Sequence, residues 1–194
     1  GVNDHWTGLS RLWRASLRLV SPTCNTRQQL HKSLHPRPLL PLFLAASKQE
    51  KVRLVLLLAV ARQESRFSPG VASPVGAVGL LQLMPTTAAE VAGEKLSADE
   101  LREPQRNAIL GARYLEGLLN RWQGNPWLTV ASYNAGPGAA DSWLSSVLEE
   151  DPELWVERIP YPETRLYTKK VLGNLWAYLN DNSGNHGGSD RCTE

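Results

Sequence analysis

The spacing of apolar residues along the chain predicts a protein built mainly from helices. Apolar side chains recur three or four positions apart in several segments, and no segment shows the strict alternation that marks a half-buried strand. The predicted helices cover residues 9–20, 39–46, 51–67, 105–122, 127–133, 137–148 and 162–179, with a shorter one from Thr86 or Thr87 to about Ala92. Ser97 and Glu100 have the spacing of a capping box at a short helical turn. We therefore expect a mainly α fold.

The segment 51–67 is the most apolar of these helices. Its unbroken apolar run, Leu54 to Ala61, is eight residues long, and Ser68-Pro69-Gly70 ends the helix. A run of this length is too short to cross a bilayer, so we expect no transmembrane segment. Residues 68–85 contain three Pro and three Gly, which predicts loops with tight backbone positions.

Composition and charge then limit the class of protein. A chain of 194 residues with 42% apolar side chains can bury a core as one domain. A net charge of +2 is too balanced for binding nucleic acid through phosphate neutralisation alone, so we expect no nucleic-acid partner. Cys24 and Cys192 lie near opposite ends and lack metal-type spacing. The chain has no initiator Met and no signal-peptide pattern, so we interpret it as a piece of a longer protein whose export signal is missing.

Charge and composition together predict three parts. Residues 1–50 have a net charge of +5 and the remaining 144 residues a net charge of −3. We interpret residues 1–38 as a helical N-terminal segment, 39–180 as the main domain, and the Gly-, Asn- and Ser-rich residues 181–194 as a flexible tail. The amphipathic stretch 9–20 is most simply a helix packing on a neighbour; contact with a membrane surface or a nucleic acid is the alternative.

Several catalytic devices are absent from the main domain. The chain has no phosphate-binding Gly-x-x-x-x-Gly-Lys loop and no Gly-x-Gly-x-x-Gly after a strand. Its four histidines all lie outside residues 50–180, which excludes a Ser-His-Asp triad or a His-ligated metal there. Any chemistry in this segment must use carboxylates, hydroxyls, amides or basic side chains. We expect no metal and no nucleotide cofactor.

Glu64 is the most informative position. It lies at the end of the most apolar helix, just before the Pro/Gly break. A carboxylate at the end of a buried helix, facing a cleft, is partly desolvated, and desolvation raises its pKa as a general acid requires. The alternative is a solvated glutamate paired with Arg62 or Arg66.

Three further segments contain polar side chains beside breaks in the helices. In the loop 73–85, two glycines allow close backbone approach to a ligand, Gln82 offers a donor and an acceptor, and Met84 offers an adaptable apolar surface. Residues 131–138 place Tyr133 and Asn134 between two helices, and Glu163 follows Pro162 at a helix start. Each has an ordinary structural alternative: a plain loop, a left-handed helix C-cap, and a partner for the helix dipole.

Together the four segments closely resemble one family. Glu64-Ser65, Gly-Leu-Leu-Gln-Leu-Met-Pro, Tyr-Asn-Ala-Gly-Pro-Gly and Ile-Pro-Tyr-Pro-Glu-Thr-Arg occur in the order seen in the catalytic domain of soluble lytic transglycosylases. The resemblance covers about residues 40–180 and implies a lysozyme-like fold of the goose type with a substrate groove. Because larger family members have a helical domain before the catalytic one, residues 1–38 are interpreted as its last helices.

The resemblance also implies roles for individual residues. Glu64 matches the single catalytic carboxylate of the family. The residues that match groove positions are Ser73, Gln82, Met84, Tyr133 and Asn134, and Glu163 matches a carboxylate that shapes the site. One departure is Ser132, where the family more often has Ala; we expect no loss of activity, with an altered hydrogen bond in the groove.

The reaction implied is cleavage of the β-1,4 bond between N-acetylmuramic acid and N-acetylglucosamine in peptidoglycan, without water, leaving 1,6-anhydromuramic ends. A muramidase hydrolysing the same bond and a peptidoglycan-binding module without turnover remain alternatives. The expected partner is a peptidoglycan glycan strand, with other cell-wall proteins as further candidates. A periplasmic or cell-envelope location is inferred from the substrate alone.

Overall fold

Helices make up most of the described part of the protein. The computed structural model describes Gln29 and residues 33–183. In that part the only β-structure is two isolated bridges, Ala72 with Val78 and Val78 with Leu83. The helices are α1 (Leu40–Gln49), α2 (Leu54–Glu64), α3 (Pro85–Ala92), α4 (Ala98–Arg102), α5 (Pro104–Arg121), α6 (Pro126–Ala135), α7 (Pro137–Asp141), α8 (Val147–Glu150), α9 (Pro152–Glu157) and α10 (Pro162–Ser183). The mainly α prediction is confirmed.

Helix α2 forms the centre of the main core. All seven residues from Val55 to Ala61 are buried, because α10 and α1 pack against it while α10 also contacts α6. The helix is shorter than the predicted 51–67. Lys51 precedes it in the left-handed region (φ 56°), and Arg66 and Phe67 follow it there (φ 52° and 65°), so neither end can continue the helix.

The predicted capping of two helices has opposite outcomes. The Ser97 hydroxyl accepts a hydrogen bond from the Glu100 backbone N–H, and the Glu100 carboxylate accepts one from the Ser97 N–H, which confirms the capping box. The prediction of a threonine cap for α3 is wrong. Pro85 begins the helix, and Met84, which has no side-chain acceptor for the purpose, is its N-cap.

The predicted helix 137–148 is wrong, because the chain forms the two short helices α7 and α8 instead. After α7, the Ser142 hydroxyl donates to the Ala139 carbonyl at 2.6 Å, competing with the backbone for that acceptor. The Trp143 carbonyl accepts a hydrogen bond from the Trp155 indole at 2.9 Å instead of continuing the helix. Helix α9 was not predicted, although the Asp151 carboxylate caps it and Pro152 begins it.

Residues 34–36, just before the predicted main domain, pack against its two central helices. The Tyr178 hydroxyl of α10 donates to the Pro36 carbonyl at 2.8 Å. Arg62 of α2 donates to the Leu34 carbonyl at 2.6 Å and to Asn174 Oδ1 at 2.7 Å, which ties residues 34–36 to both central helices. Helix α10 extends to Ser183, three residues into the segment predicted as a tail. The predicted helix 9–20 and residues 184–194 lie outside the described residues.

Candidate active site

Glu64 is the last residue of α2, at the boundary between the core and the loop 68–84. Its carboxylate Oε1 accepts a hydrogen bond of 2.6 Å from the Tyr167 hydroxyl of α10. The next residue, Ser65, is buried and donates from its hydroxyl to the Leu80 carbonyl at 2.7 Å. The end of α2 is therefore fastened to both α10 and the loop, which fixes the position of the carboxylate.

The surroundings of Glu64 favour its neutral form. Burial of the carboxyl raises its pKa from 4.5 to about 7, and the negative charge of Glu163 adds to this rise, while the Tyr167 hydrogen bond opposes it. Arg62 is engaged with Leu34 and Asn174 and is not a partner for the carboxylate. The alternative of a solvated glutamate paired with Arg62 is therefore wrong. A carboxyl with a pKa near neutrality can both donate and accept a proton.

Gln82 belongs to the loop 68–84, which the Ser65–Leu80 hydrogen bond joins to the end of α2. Gln82 adopts a left-handed backbone (φ 45°), and its side-chain nitrogen donates to the carbonyls of Val71 at 3.1 Å and Gly79 at 2.9 Å. Both amide N–H groups are thus used within the loop. The expectation that Gln82 offers a donor and an acceptor is half right, because only its Oε1 is left to accept a hydrogen bond from a ligand.

Ser73 and Met84 belong to the same loop, and Met84 is its last residue. The Ser73 hydroxyl accepts a hydrogen bond from the Ala77 N–H at 2.9 Å, while the Ser73 N–H donates to the Ala77 carbonyl, which closes a turn. The Ser73 hydroxyl proton is not used in this turn. Met84 has 38% of its surface exposed, so its thioether is accessible to a ligand. Among the described residues, no hydrogen bond joins either side chain to Glu64.

Asn107 of α5 holds the loop in place and was missed by the sequence analysis. Its side chain is fully buried, with Oδ1 accepting from the Leu81 N–H at 2.8 Å and Nδ2 donating to the carbonyls of Val78 and Leu101 at 2.9 Å each. Gly79 lies against this amide so closely that a Cβ would overlap it. The sequence feature that could have indicated Asn107 is a polar residue at a core position of an amphipathic helix.

Tyr133 connects α6 to the loop. Its hydroxyl donates to the Leu81 carbonyl at 2.8 Å, and its ring packs against Tyr114 with centroids 5.3 Å apart. Burial raises the pKa of Tyr133 well above its usual value, and the charge of Glu64 raises it further, which places the phenol within electrostatic range of that carboxylate. The Tyr133 hydroxyl proton is used by the loop, so the phenol is left with its oxygen as an acceptor.

Asn134 and Ser132, on either side of Tyr133, have different environments. Asn134 is exposed, and its Oδ1 accepts a 2.7 Å hydrogen bond from Thr164, so its amide N–H groups are the part available to a ligand. Ser132 is fully buried and accepts a 2.8 Å hydrogen bond from the Trp122 indole. The expectation that Ser132 alters a hydrogen bond in the groove is therefore wrong.

Helix α10 contributes one predicted and one missed residue. Glu163 lies exposed in the first turn of α10, where the helix dipole favours a carboxylate, and its charge acts on Glu64. Tyr167, one turn further along, makes the hydrogen bond to Glu64, and burial raises its own pKa well above the usual value. The sequence feature that could have indicated Tyr167 is its position four residues after Glu163, on the same face of the helix.

The described part of the chain also bears on metal sites and on membrane-spanning helices. Within residues 33–183, no cluster of three or more histidine, cysteine or acidic side chains has the arrangement of a metal site. In the same part, no helix has the length and apolar character needed to cross a membrane.

Comparison with known proteins identifies the family. The sequence profile of the transglycosylase SLT domain matches residues 41–156. A soluble lytic murein transglycosylase of Salmonella typhimurium is 39% identical over 137 residues, which are 68% of this chain and 21% of that protein. The structure of the lytic transglycosylase Slt of Pseudomonas aeruginosa, solved as an inactive mutant, is similar to this chain with a TM-score of 0.74 and 30% sequence identity. The match covers 93% of this chain and 30% of the Pseudomonas chain.

The 70-kDa soluble lytic transglycosylase of Escherichia coli is similar as well, with a TM-score of 0.71 at 28% identity over 91% of this chain. The chain therefore belongs to the transglycosylase SLT domain family and has its lysozyme-like fold. It spans about a fifth of the length of the Salmonella relative and about three tenths of the two solved chains. Glu163 and Tyr167 lie beyond the residues that the family profile matches.

Proposed function

We propose that this chain contains the catalytic domain of a lytic transglycosylase that cleaves the β-1,4 bond between N-acetylmuramic acid and N-acetylglucosamine in peptidoglycan. The observation that carries the proposal is Glu64, a desolvated carboxyl with a pKa of about 7 held by Tyr167 at 2.6 Å. Family membership supports the substrate, since the relatives named above are murein or lytic transglycosylases.

The proposed reaction uses Glu64 twice. Protonated Glu64 donates its proton to the glycosidic oxygen, and the bond from this oxygen to C1 of the muramic sugar breaks. The N-acetyl carbonyl of the same sugar stabilises C1, as in substrate-assisted glycosidases. Glu64, now ionised, removes the proton from the C6 hydroxyl, whose oxygen bonds to C1 and closes the 1,6-anhydro ring. The C6 oxygen outcompetes water because it is part of the same molecule.

Tyr167 and Glu163 shift the pKa of Glu64 in opposite directions. A hydrogen bond from Tyr167 stabilises the ionised form that must accept the second proton, and the charge of Glu163 stabilises the protonated form needed for the first step. Burial acts in the same direction as Glu163 and dominates. The carboxyl is consequently poised near neutral pH, where one group can serve both steps.

The groove is proposed to contain the groups around this carboxyl that still offer hydrogen bonds or surface. They are the Ser73 hydroxyl, Gln82 Oε1, the Met84 thioether, the Tyr133 oxygen, the Asn134 amide N–H groups and the Glu163 carboxylate. The catalytic domain is proposed to be residues 39–180, preceded by the last helices of another domain. A periplasmic or cell-envelope location follows from the proposed substrate.

Paired variants test the single-carboxylate mechanism. Glu64→Gln retains the shape and can still accept the Tyr167 hydrogen bond, but it cannot transfer the proton, so release of soluble fragments from purified peptidoglycan should stop. Glu163→Gln removes a charge that raises the Glu64 pKa but transfers no proton in this mechanism, so the variant should retain measurable turnover. Should Glu163→Gln abolish turnover as completely as Glu64→Gln, a two-carboxylate hydrolase would replace the proposal.

A further inference from the structure

An exposed tyrosine, Tyr161, lies two residues before Glu163 and packs against a half-buried tryptophan, Trp143. Tyr161 has 53% of its surface exposed, and its ring is 5.1 Å from that of Trp143 with an angle of 78° between the planes. In this edge-to-face arrangement one ring presents its edge to the other. Whichever ring does so, Trp143 covers no more than one face of Tyr161, and another face is left for a ligand.

The backbone that supports Tyr161 is rigid. Pro162 restricts the backbone dihedrals of Tyr161, which precedes it, and the φ of Pro160 is fixed by its own ring. The Tyr161 carbonyl accepts a 2.9 Å hydrogen bond from the Arg165 N–H. Ile159, just before this segment, is buried in the core. An exposed aromatic ring on a fixed backbone loses little conformational freedom when it binds a ligand.

Two contacts fix the position of Trp143, the other member of the pair. Its carbonyl accepts a 2.9 Å hydrogen bond from the indole of Trp155, which is itself 2% exposed, and its side chain packs on the second apolar core that contains Trp155 and Ile159. The pair is thus a fixed aromatic platform, with Trp143 the support and Tyr161 the accessible ring.

We propose that this platform is a sugar-binding subsite, where Tyr161 stacks on the apolar C–H face of a ring of the glycan strand beyond the cleaved bond. The inference rests on the proposed function. Tyr161 lies two residues before Glu163, whose charge acts on Glu64, so the platform is at most a few residues from a group that influences the candidate acid. An N-acetylglucosamine ring, which has no charge, suits this position better than a peptide stem, because the stem carboxylates would approach Glu163.

Binding measurements in the Glu64→Gln background test this subsite without turnover. The probe is peptidoglycan glycan strands from which the stem peptides have been removed. We expect Tyr161→Ala to weaken binding about tenfold and Tyr161→Phe, which keeps the ring, to remain within about twofold. Trp176→Ala is the matched control, since Trp176 is 64% exposed but lies nine residues beyond Tyr167 along α10. Unchanged thermal midpoints exclude a loss of folding as the cause.

The outcomes separate the subsite from the proposed function. Equal affinity of Tyr161→Ala and its parent for the peptide-free strands overturns the subsite and leaves the proposed function standing. A loss of affinity confined to strands that still have their stem peptides overturns it as well, because the ligand is then the peptide. If the Glu64→Gln parent binds neither kind of strand, the proposed function itself is contradicted.

Discussion

Replacing Glu64 by glutamine is expected to stabilise the protein at neutral and alkaline pH while leaving its stability in acid nearly unchanged. The pKa of Glu64 is raised from 4.5 to about 7 in the folded protein, chiefly by burial. Between these two pH values the folded state binds a proton that the unfolded state has released. The free energy of unfolding of the wild type therefore falls as pH rises through this window, and glutamine, which has no proton to lose, removes that fall.

The size of the effect follows from the pKa shift. A shift of about 2.5 units, at about 1.36 kcal/mol per unit, amounts to about 3 kcal/mol once Glu64 is fully ionised. Because Glu64 is partly exposed, solvent screening reduces this to about 2–3 kcal/mol. For a domain of this size, such a difference corresponds to roughly 4–12 °C in the thermal midpoint.

The assay is denaturant unfolding of wild type and Glu64→Gln at one-unit intervals from pH 4 to pH 8. The two free energies of unfolding should lie within about 0.5 kcal/mol at pH 4, diverge between pH 4.5 and 7, and differ by a constant amount above pH 7. Parallel curves over the whole range would refute the reasoning, since they would mean that the carboxyl titrates alike in the folded and unfolded states.

Three further variants test contacts around the site. Tyr167→Phe removes the hydrogen bond that favours ionised Glu64 and so raises the pKa of Glu64 further. The fall of kcat/KM on peptidoglycan at alkaline pH should then occur at higher pH than in the wild type. A fall at the same pH in both proteins would contradict this role of Tyr167. Ser132→Ala leaves the Trp122 indole without its acceptor and should cost about 1 kcal/mol in urea unfolding with unchanged kcat/KM, whereas a loss of activity would place Ser132 in the groove. Gly79→Ala, at φ +84° against a buried amide, should cost about 2 kcal/mol or more in the same unfolding assay; a neutral result would contradict the close packing of the loop.

The elements with strong periodicity were predictable from the sequence. Helix α2 is predictable because its apolar run is too long for an average strand and contains no Gly or Pro, and α5 because its apolar positions recur at helical spacing. The capping box at Ser97 is predictable because both its partners are local. The break between α7 and α8 was not found. It depends on the Trp155 indole reaching the Trp143 carbonyl, a contact between residues twelve positions apart whose partner is fixed only by tertiary packing.

The residues of the candidate site also divide into those that the local sequence indicates and those that depend on distant partners. Glu64 is conspicuous as an acidic residue at the end of an apolar helix, but its position alone leaves a solvated glutamate open, and the resemblance to the family is what selects it as the candidate acid. Tyr167 and Asn107 were missed because their importance depends on partners 103 and 26 positions away along the chain. The donor groups of Gln82 and Tyr133 were assigned to a ligand from residue type alone, although the loop carbonyls already accept from them. Residue identity predicts which donors and acceptors a side chain has, but only the fold shows which of them remain available to a ligand.

The most direct test of the proposed function is mass spectrometry of the fragments released from purified peptidoglycan by the wild type and by Glu64→Gln. The account predicts wild-type muropeptides that are lighter by one water than the hydrolysed species, as 1,6-anhydro ends require, and no such products from Glu64→Gln. Fragments with ordinary reducing ends would contradict it in favour of a muramidase. Anhydro products that persist in Glu64→Gln would contradict the assignment of Glu64.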